Sequence, residues 1–186
     1  AFDLDAGARF IGLYTEHVAS SGLMMNGVSV LDGNSLPHHP CDFCFEGVDV
    51  STLCHAGENR IDLAAQRDMV YLEGEFSFDN GKLTVPRKPV YGNLAEAGYP
   101  HYWGGVDYHF TFNGKHDLLR FDLDGAAEVS VNGQPAGVIF GKPSTLHISS
   151  LCIDGENTLI VHLSNSAANF VTAKPVPFGI IKTEIA

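Results

Sequence analysis

The chain has no run of eighteen or more apolar residues, so nothing in it reads as a membrane-spanning helix. Basic residues are scarce: 11 Lys and Arg stand against 22 Asp and Glu, a net charge of −11. That balance argues against nucleic acid and anionic membrane surfaces as partners, since both recruit Lys and Arg. Four cysteines in 186 residues do not make a disulfide framework. No G-x-S-x-G, phosphate-binding loop or dinucleotide fingerprint occurs. No secretion signal opens the chain, which begins at Ala1 without Met and is expected to be a piece of a longer polypeptide. Helical periodicity is nearly absent as well.

What the chain does have, it has twice. Residues 46–65 read EGVDVSTLCHAGENRIDLAA, and residues 144–163 read STLHISSLCIDGENTLIVHL. Aligning Gly57-Glu58-Asn59 with Gly155-Glu156-Asn157, an offset of 98 residues, also superposes Leu53-Cys54 on Leu151-Cys152. An Asn-Gly pair precedes each copy, Asn26-Gly27 in the first and Asn132-Gly133 in the second. From Gly27 to Gly57 is 30 residues and from Gly133 to Gly155 is 22. The eight extra residues fall within LDGNSLPHHPCDFC, residues 31–44, which reads as a loop.

Short alternating bursts rich in β-branched and aromatic residues lie between tight-turn signals such as Asn80-Gly81, Asn113-Gly114 and Asp124-Gly125. The fold class predicted is all-β, two antiparallel jelly-roll sandwich modules in tandem. Residues 1–76 form the first, a partial module with fewer strands; residues 77–186 form the second, complete one. Strands are predicted near residues 9–17, 22–25, 43–50, 59–65 and 69–72. Others are predicted near 83–85, 106–112, 118–123, 127–131, 145–148, 158–163 and 179–185.

Four further constellations bear on chemistry. Residues 85–105 hold three prolines, three tyrosines and the single tryptophan. Tyr99, His101, Tyr102 and Trp103, with Asp107 or Asn93 as a polar partner, would suit a saccharide, whose C–H faces stack on rings. The same rings could pack this stretch onto a sandwich, the commoner use of aromatics. His38, His39, Cys41, Cys44, Cys54 and His55 contain one C-x-x-C, but no second pair completes a zinc tetrahedron, and a loop cap is expected instead. Glu73 and Glu75 alternate onto one face, yet Glu16, Asp107, Asp122 and Glu128 could be paired as freely, and no two stand out as a glycosidase acid and nucleophile. The aspartates of residues 3–7 and 122–125 are thin grounds for calcium.

The ordered pattern V-x-V-N-G, apolar strand, L-x-x-x-G-E-N, then TLIVHLSN resembles the galactose-binding-domain-like jelly rolls of large bacterial glycoside hydrolases, such as the sugar-binding domain of family 2 enzymes. YLEGEFSF (71–78) and GYPHYWGGVDYHFTF (98–112) are similar to the link between paired sandwiches in rhamnosidase-like enzymes. PFGIIKTEI (177–185) is similar to the family's last strand. The resemblance implies an accessory, non-catalytic sandwich beside the catalytic domain of the same polypeptide. It implies contact with a glycan or oligosaccharide, or pure scaffolding, with a structural calcium in some members and an extracytoplasmic setting favoured. Under the sugar-binding reading, Trp103, Tyr102, Tyr99, His101 and Asp107 are the expected contacts. The alternative is a structural module that docks a neighbouring domain or subunit through the aromatic segment.

Overall fold

The computed structural model describes residues 1–7, 11–19, 21–63, 69–88, 91–166, 168–171 and 174–186. The chain divides into two compact units, residues 1–88 and 89–186. Eighteen strands, one three-residue 3-10 helix (Val30–Asp32) and one four-residue α-helix are present among the described residues, so the all-β expectation holds.

Unit 1 contains β1 (Phe2–Leu4), β2 (Ile11–Thr15), β3 (Met24–Met25), β4 (Val28–Ser29), β5 (Asn34–Leu36), β6 (Glu46–Asp49), β7 (Gly57–Asn59), β8 (Ile61–Asp62), β9 (Tyr71–Gly74), β10 (Ser77–Asp79) and β11 (Lys82–Thr84). One sheet runs β5-β6-β2-β9. β10-β11-β1-β7 and β4-β3-β8 supply the other strands, with only Arg60 between β7 and β8. Ile11, Leu13 and Val48 from the first sheet meet Leu4, Met25 and Leu83 in one buried cluster.

Unit 2 contains β12 (Gly105–Asn113), β13 (Leu118–Asp124), β14 (Ala126–Val131), β15 (Gln134–Phe140), β16 (Ser144–His147), β17 (Glu156–Ser164), α1 (Ala168–Val171) and β18 (Gly179–Ile185). Its sheets are β12-β17-β14-β15 and β16-β13-β18. Strict alternation along β13, β14 and β17 sends Leu119, Phe121 and Leu123 from one sheet into the same core as Val129, Val131, Leu159, Val161 and Leu163 from the other.

The repeat in the letters is a repeat in the ladders. β2 pairs with β6 and β9 as β13 pairs with β16 and β18. β3 joins β4 and β8 as β14 joins β15 and β17. A one-turn link follows in each copy: the N–H groups of Leu53 and Cys54 reach Val50 O, and those of Leu151 and Cys152 reach Ile148 O.

The paired Asn residues explain why these letters recur. Asn26 Nδ2 donates to Leu53 O at 2.9 Å and Asn59 Oδ1 at 2.8 Å, while Arg60 N donates to Asn26 Oδ1 at 2.8 Å. Asn132 Nδ2 donates to Leu151 O at 2.9 Å and Asn157 Oδ1 at 2.8 Å, while Thr158 N donates to Asn132 Oδ1 at 2.9 Å. Asn59 and Asn157 are fully buried, and each satisfies backbone groups of the turn before it. Asn26 and Asn132 hold φ of 52°, in two-residue Asn-Gly hairpins that need positive φ at both positions.

Several expectations are corrected. The units divide after Lys88 rather than near residue 76, because the β10–β11 hairpin hydrogen-bonds to β1 and so belongs with unit 1. β11 runs parallel to β1, so the pairing is not antiparallel throughout. Unit 1 has more strands than unit 2, all of them short, rather than fewer. The stretch 31–44 is not all loop: Asn34–Leu36 adds an edge strand to β6. Parts of the strands expected near 9–17 and 59–65 lie outside the described residues.

Candidate functional site

The aromatic stretch is stitched to β18 before it offers anything to solvent. Gly92 N donates to Ile180 O and Leu94 N to Phe178 O, both at 2.7 Å. Asn93 Oδ1 accepts the N–H groups of Ala95 and Phe178. Leu94 and Phe178, each 1% exposed, sit together in the unit 2 core, and Tyr99 packs against that cluster. Tyr91 lies on Phe110, centroids 5.2 Å apart and planes 25° apart. Much of this segment therefore closes its own sandwich, the packing use of aromatic rings.

What stays at the surface is narrower than the expected set. Tyr102 is 38% exposed; its ring is stacked against Phe178 at 6.4 Å and is edge-on to Tyr99, at 77°. Its hydroxyl donates to Gly105 O at 2.7 Å, and Asn165 Nδ2 donates to Tyr102 O at 2.7 Å. Burial, then the charge of Asp107, pushes the Tyr102 hydroxyl above its ordinary value. Trp103 is half-buried, and His101 Nδ1 lies 3.0 Å from Asn169 O. The rings of Tyr99 and Tyr102 stand nearly perpendicular and do not form one flat platform.

The structure brings to this place a residue that the sequence reading passed over. His162, on β17, lies opposite Asp107 of β12 on one side and Glu128 of β14 on the other. Asp107 Oδ1 and His162 Nδ1 are 2.5 Å apart. A Cβ on Gly105 would come within 2.8 Å of His162 Cε1, and one on Gly104 within 2.8 Å of the Tyr102 hydroxyl. The Gly-Gly pair thus leaves room for both side chains. The result is an exposed row on the outer face of the four-stranded sheet, an imidazole between two carboxylates, with the Tyr102 ring held at the Gly104-Gly105 end of β12. It can exchange hydrogen bonds with hydroxyl groups and offers one ring face. The available signal was outward register, since His162 falls between the buried Val161 and Leu163 of TLIVHLSN.

The other expected chemistries are taken up locally. His39 is buried, with its ring edge-on to Tyr14 at 5.0 Å; its Nδ1 accepts Cys41 N at 3.2 Å, and its Nε2 lies 3.5 Å from Glu73 Oε2. Cys54, half-buried, has its thiol pushed up to about 11, chiefly by burial. Among the described residues, no three His, Cys, Asp or Glu gather as metal ligands would. Both aspartate pairs weighed for calcium answer a lysine: Lys82 lies 3.7 and 3.0 Å from Asp3 and Asp5, and Lys142 lies 3.6 and 2.9 Å from Asp122 and Asp124. In unit 1 a shallow hollow of about 330 Å³ lies between Leu31, Leu36, His38 and Glu46, but the Glu46 carboxylate is occupied by Val18 N.

No family model matches the chain, and no curated protein matches it. Among solved structures it is similar to glycoside hydrolases. With the Bifidobacterium dentium β-glucuronidase complexed with coumarin-3-O-glucuronide it shares 31% identity over 39% of this chain and 14% of that one, at a TM-score of 0.35. With the rhamnosidase from Novosphingobium sp. PP1Y it shares 20% over 75% and 18%, at 0.41. With the Streptomyces avermitilis α-L-rhamnosidase complexed with L-rhamnose it shares 13% over 87% and 21%, at 0.32. The chain spans about a fifth or less of the length of each of these enzymes.

Proposed function

We propose that this chain is a non-catalytic β-sandwich portion of a glycoside hydrolase, and that unit 2 contacts carbohydrate on the outer face of its four-stranded sheet. The observation that carries the reading is the strip over Gly104-Gly105. There His162 pairs with Asp107 at the surface, and the partly exposed Tyr102 donates to Gly105 O, two residues before Asp107 in the chain. Rings with polar groups at their margin are what a sugar's mixed apolar and hydroxyl surface requires. The buried Asn pairs support the scaffolding half of the proposal, because the most distinctive letters of the chain build turns rather than a reactive centre. Asp107 is the polar contact, Tyr102 the stacking ring and His162 the added partner. Tyr99 acts from behind, by packing the segment against the core.

Calorimetric titration and a glycan array with the whole chain test this. Weak binding of a neutral saccharide is expected, lost in Tyr102→Ala and in His162→Ala while the circular dichroism stays that of the parent. No response to any glycan would remove sugar contact and leave the scaffold.

A second reading has its own observation. Val138 is 55% and Phe140 77% exposed, both on the edge strand β15. Large apolar side chains at a sheet edge suit docking against a neighbouring domain or subunit. Under that reading the chain ignores glycans, and Phe140→Ser, rather than Tyr102→Ala, weakens its association with the catalytic domain.

A further inference from the structure

Three hairpins of this chain turn on the same dipeptide with nearly the same backbone. Asn26-Gly27, Asn80-Gly81 and Asn132-Gly133 have Asn φ of 52°, 49° and 52° and Gly φ of 81°, 84° and 75°. Each joins two strands with no other residue in the turn. Their side chains differ sharply. Asn26 and Asn132 are each held by two donated hydrogen bonds and one accepted one. Asn80 is exposed, and its side chain makes no hydrogen bond among the described residues. A fourth pair, Asn113-Gly114, sits at the end of β12, where Gly114 N donates to Gly155 O at 2.9 Å.

We infer that Asn80 is the site at which this protein spontaneously deamidates, and that the Asn26 and Asn132 clamps protect the other two hairpins. The backbone nitrogen of Gly81 loses its proton and attacks the side-chain carbonyl carbon of Asn80. A nitrogen–carbon bond forms, the side-chain carbon–nitrogen bond breaks, and ammonia leaves with the proton, giving a cyclic imide. Water then adds to either imide carbonyl and opens the ring to aspartate or to isoaspartate. Glycine is the residue that least obstructs this attack, since it has no side chain. The clamps oppose it because the Asn amide must rotate and surrender its hydrogen bonds before its carbon can meet the nitrogen. At Asn113 the attacking nitrogen is itself held in a hydrogen bond, which ranks that site between the two extremes.

The product changes the neighbourhood. Position 80 gains a carboxylate beside Asp79, whose own carboxylate pairs with Arg87. An isoaspartyl link lengthens the backbone inside a turn that has only two residues. Since β11 pairs with β1, the change reaches the first strand of the unit.

Peptide mapping by mass spectrometry after incubation of the whole chain at mildly alkaline pH reads this directly. Asn80 is expected to convert at least about tenfold faster than Asn26 or Asn132, the factor that surrendering one or two hydrogen bonds supplies. The same incubation in denaturant is the control: the three rates should converge once the clamps are gone. Asn59→Ser removes the acceptor for Asn26 and should raise the rate at position 26 toward that of position 80, with position 132 unchanged; if that variant does not fold, the comparison with denaturant stands by itself. Equal rates at all three positions in the folded chain would overturn the proposal, as would an unfolded chain in which Asn80 still leads by the same factor.

Discussion

At the scale of single residues, the buried Asn pairs are the points on which each unit depends. Asn157 Nδ2 donates to Gly114 O, Ile153 O and Gly155 O, and its Oδ1 accepts from Asn132 and Ile153 N. Asn157→Ala strands several of these groups away from water, so a loss of about 2–4 kcal/mol is expected in denaturant unfolding of unit 2. Leu in its place would do no better, because backbone groups would still lack partners. His39 gives a pH dependence of known sign. Burial holds its imidazole below the ordinary 6.5, outweighing the nearby carboxylates of Glu73 and Asp42, which raise it. The unfolded chain therefore takes up a proton at a pH where the folded one does not. Stability of unit 1 should fall as pH drops through 6.5 and below, and His39→Gln should flatten the dependence of the thermal midpoint on pH.

At the scale of elements, the docking of residues 91–94 on β18 rests on one glycine. Gly179 has φ of 143°, and a Cβ there would lie 1.9 Å from Gly92 O. Gly179→Ala must push the segment off, breaking the bonds of Gly92 to Ile180 and of Leu94 to Phe178 and drawing Leu94 from the core. A loss of about 3 kcal/mol or more is expected, with new proteolytic cuts in residues 91–104 as the visible sign. Elements also mark how far the sequence could be read. Alternation made β12, β13, β14 and β17 plain, because one face of each meets a core and the other meets water. β15 was not anticipated: QPAGVIF carries Pro and Gly, and its ladder is broken by a register shift at Val129/Ser130 that no local pattern announces. β5, reading NSL, is a strand only because β6 lies beside it.

At the scale of the whole molecule, each unit has a buried cluster of its own. Residues 89–186, expressed alone, should fold and unfold cooperatively with a β-sheet circular dichroism spectrum, since the sandwich draws its core from that segment. A molten, dye-binding fragment would mean that unit 2 needs the first 88 residues to fold. The candidate site belongs to this scale as well. Tyr102 and Asp107 were legible as a nearby ring and acid. His162 lies 55 residues after Asp107 in the chain and meets it only through the β12–β17 ladder.

By itself the sequence determined the all-β class, the duplication and the Asn-Gly turns, because periodicity and turn chemistry act over a few residues and leave their mark in the letters. Only the tertiary structure decided where the units divide, which aromatic rings are spent on the core, and which strands bring Asp107, His162 and Glu128 into one row. Those outcomes depend on pairing between distant segments, and the energy of such pairing is shared among partners that no local stretch of sequence contains.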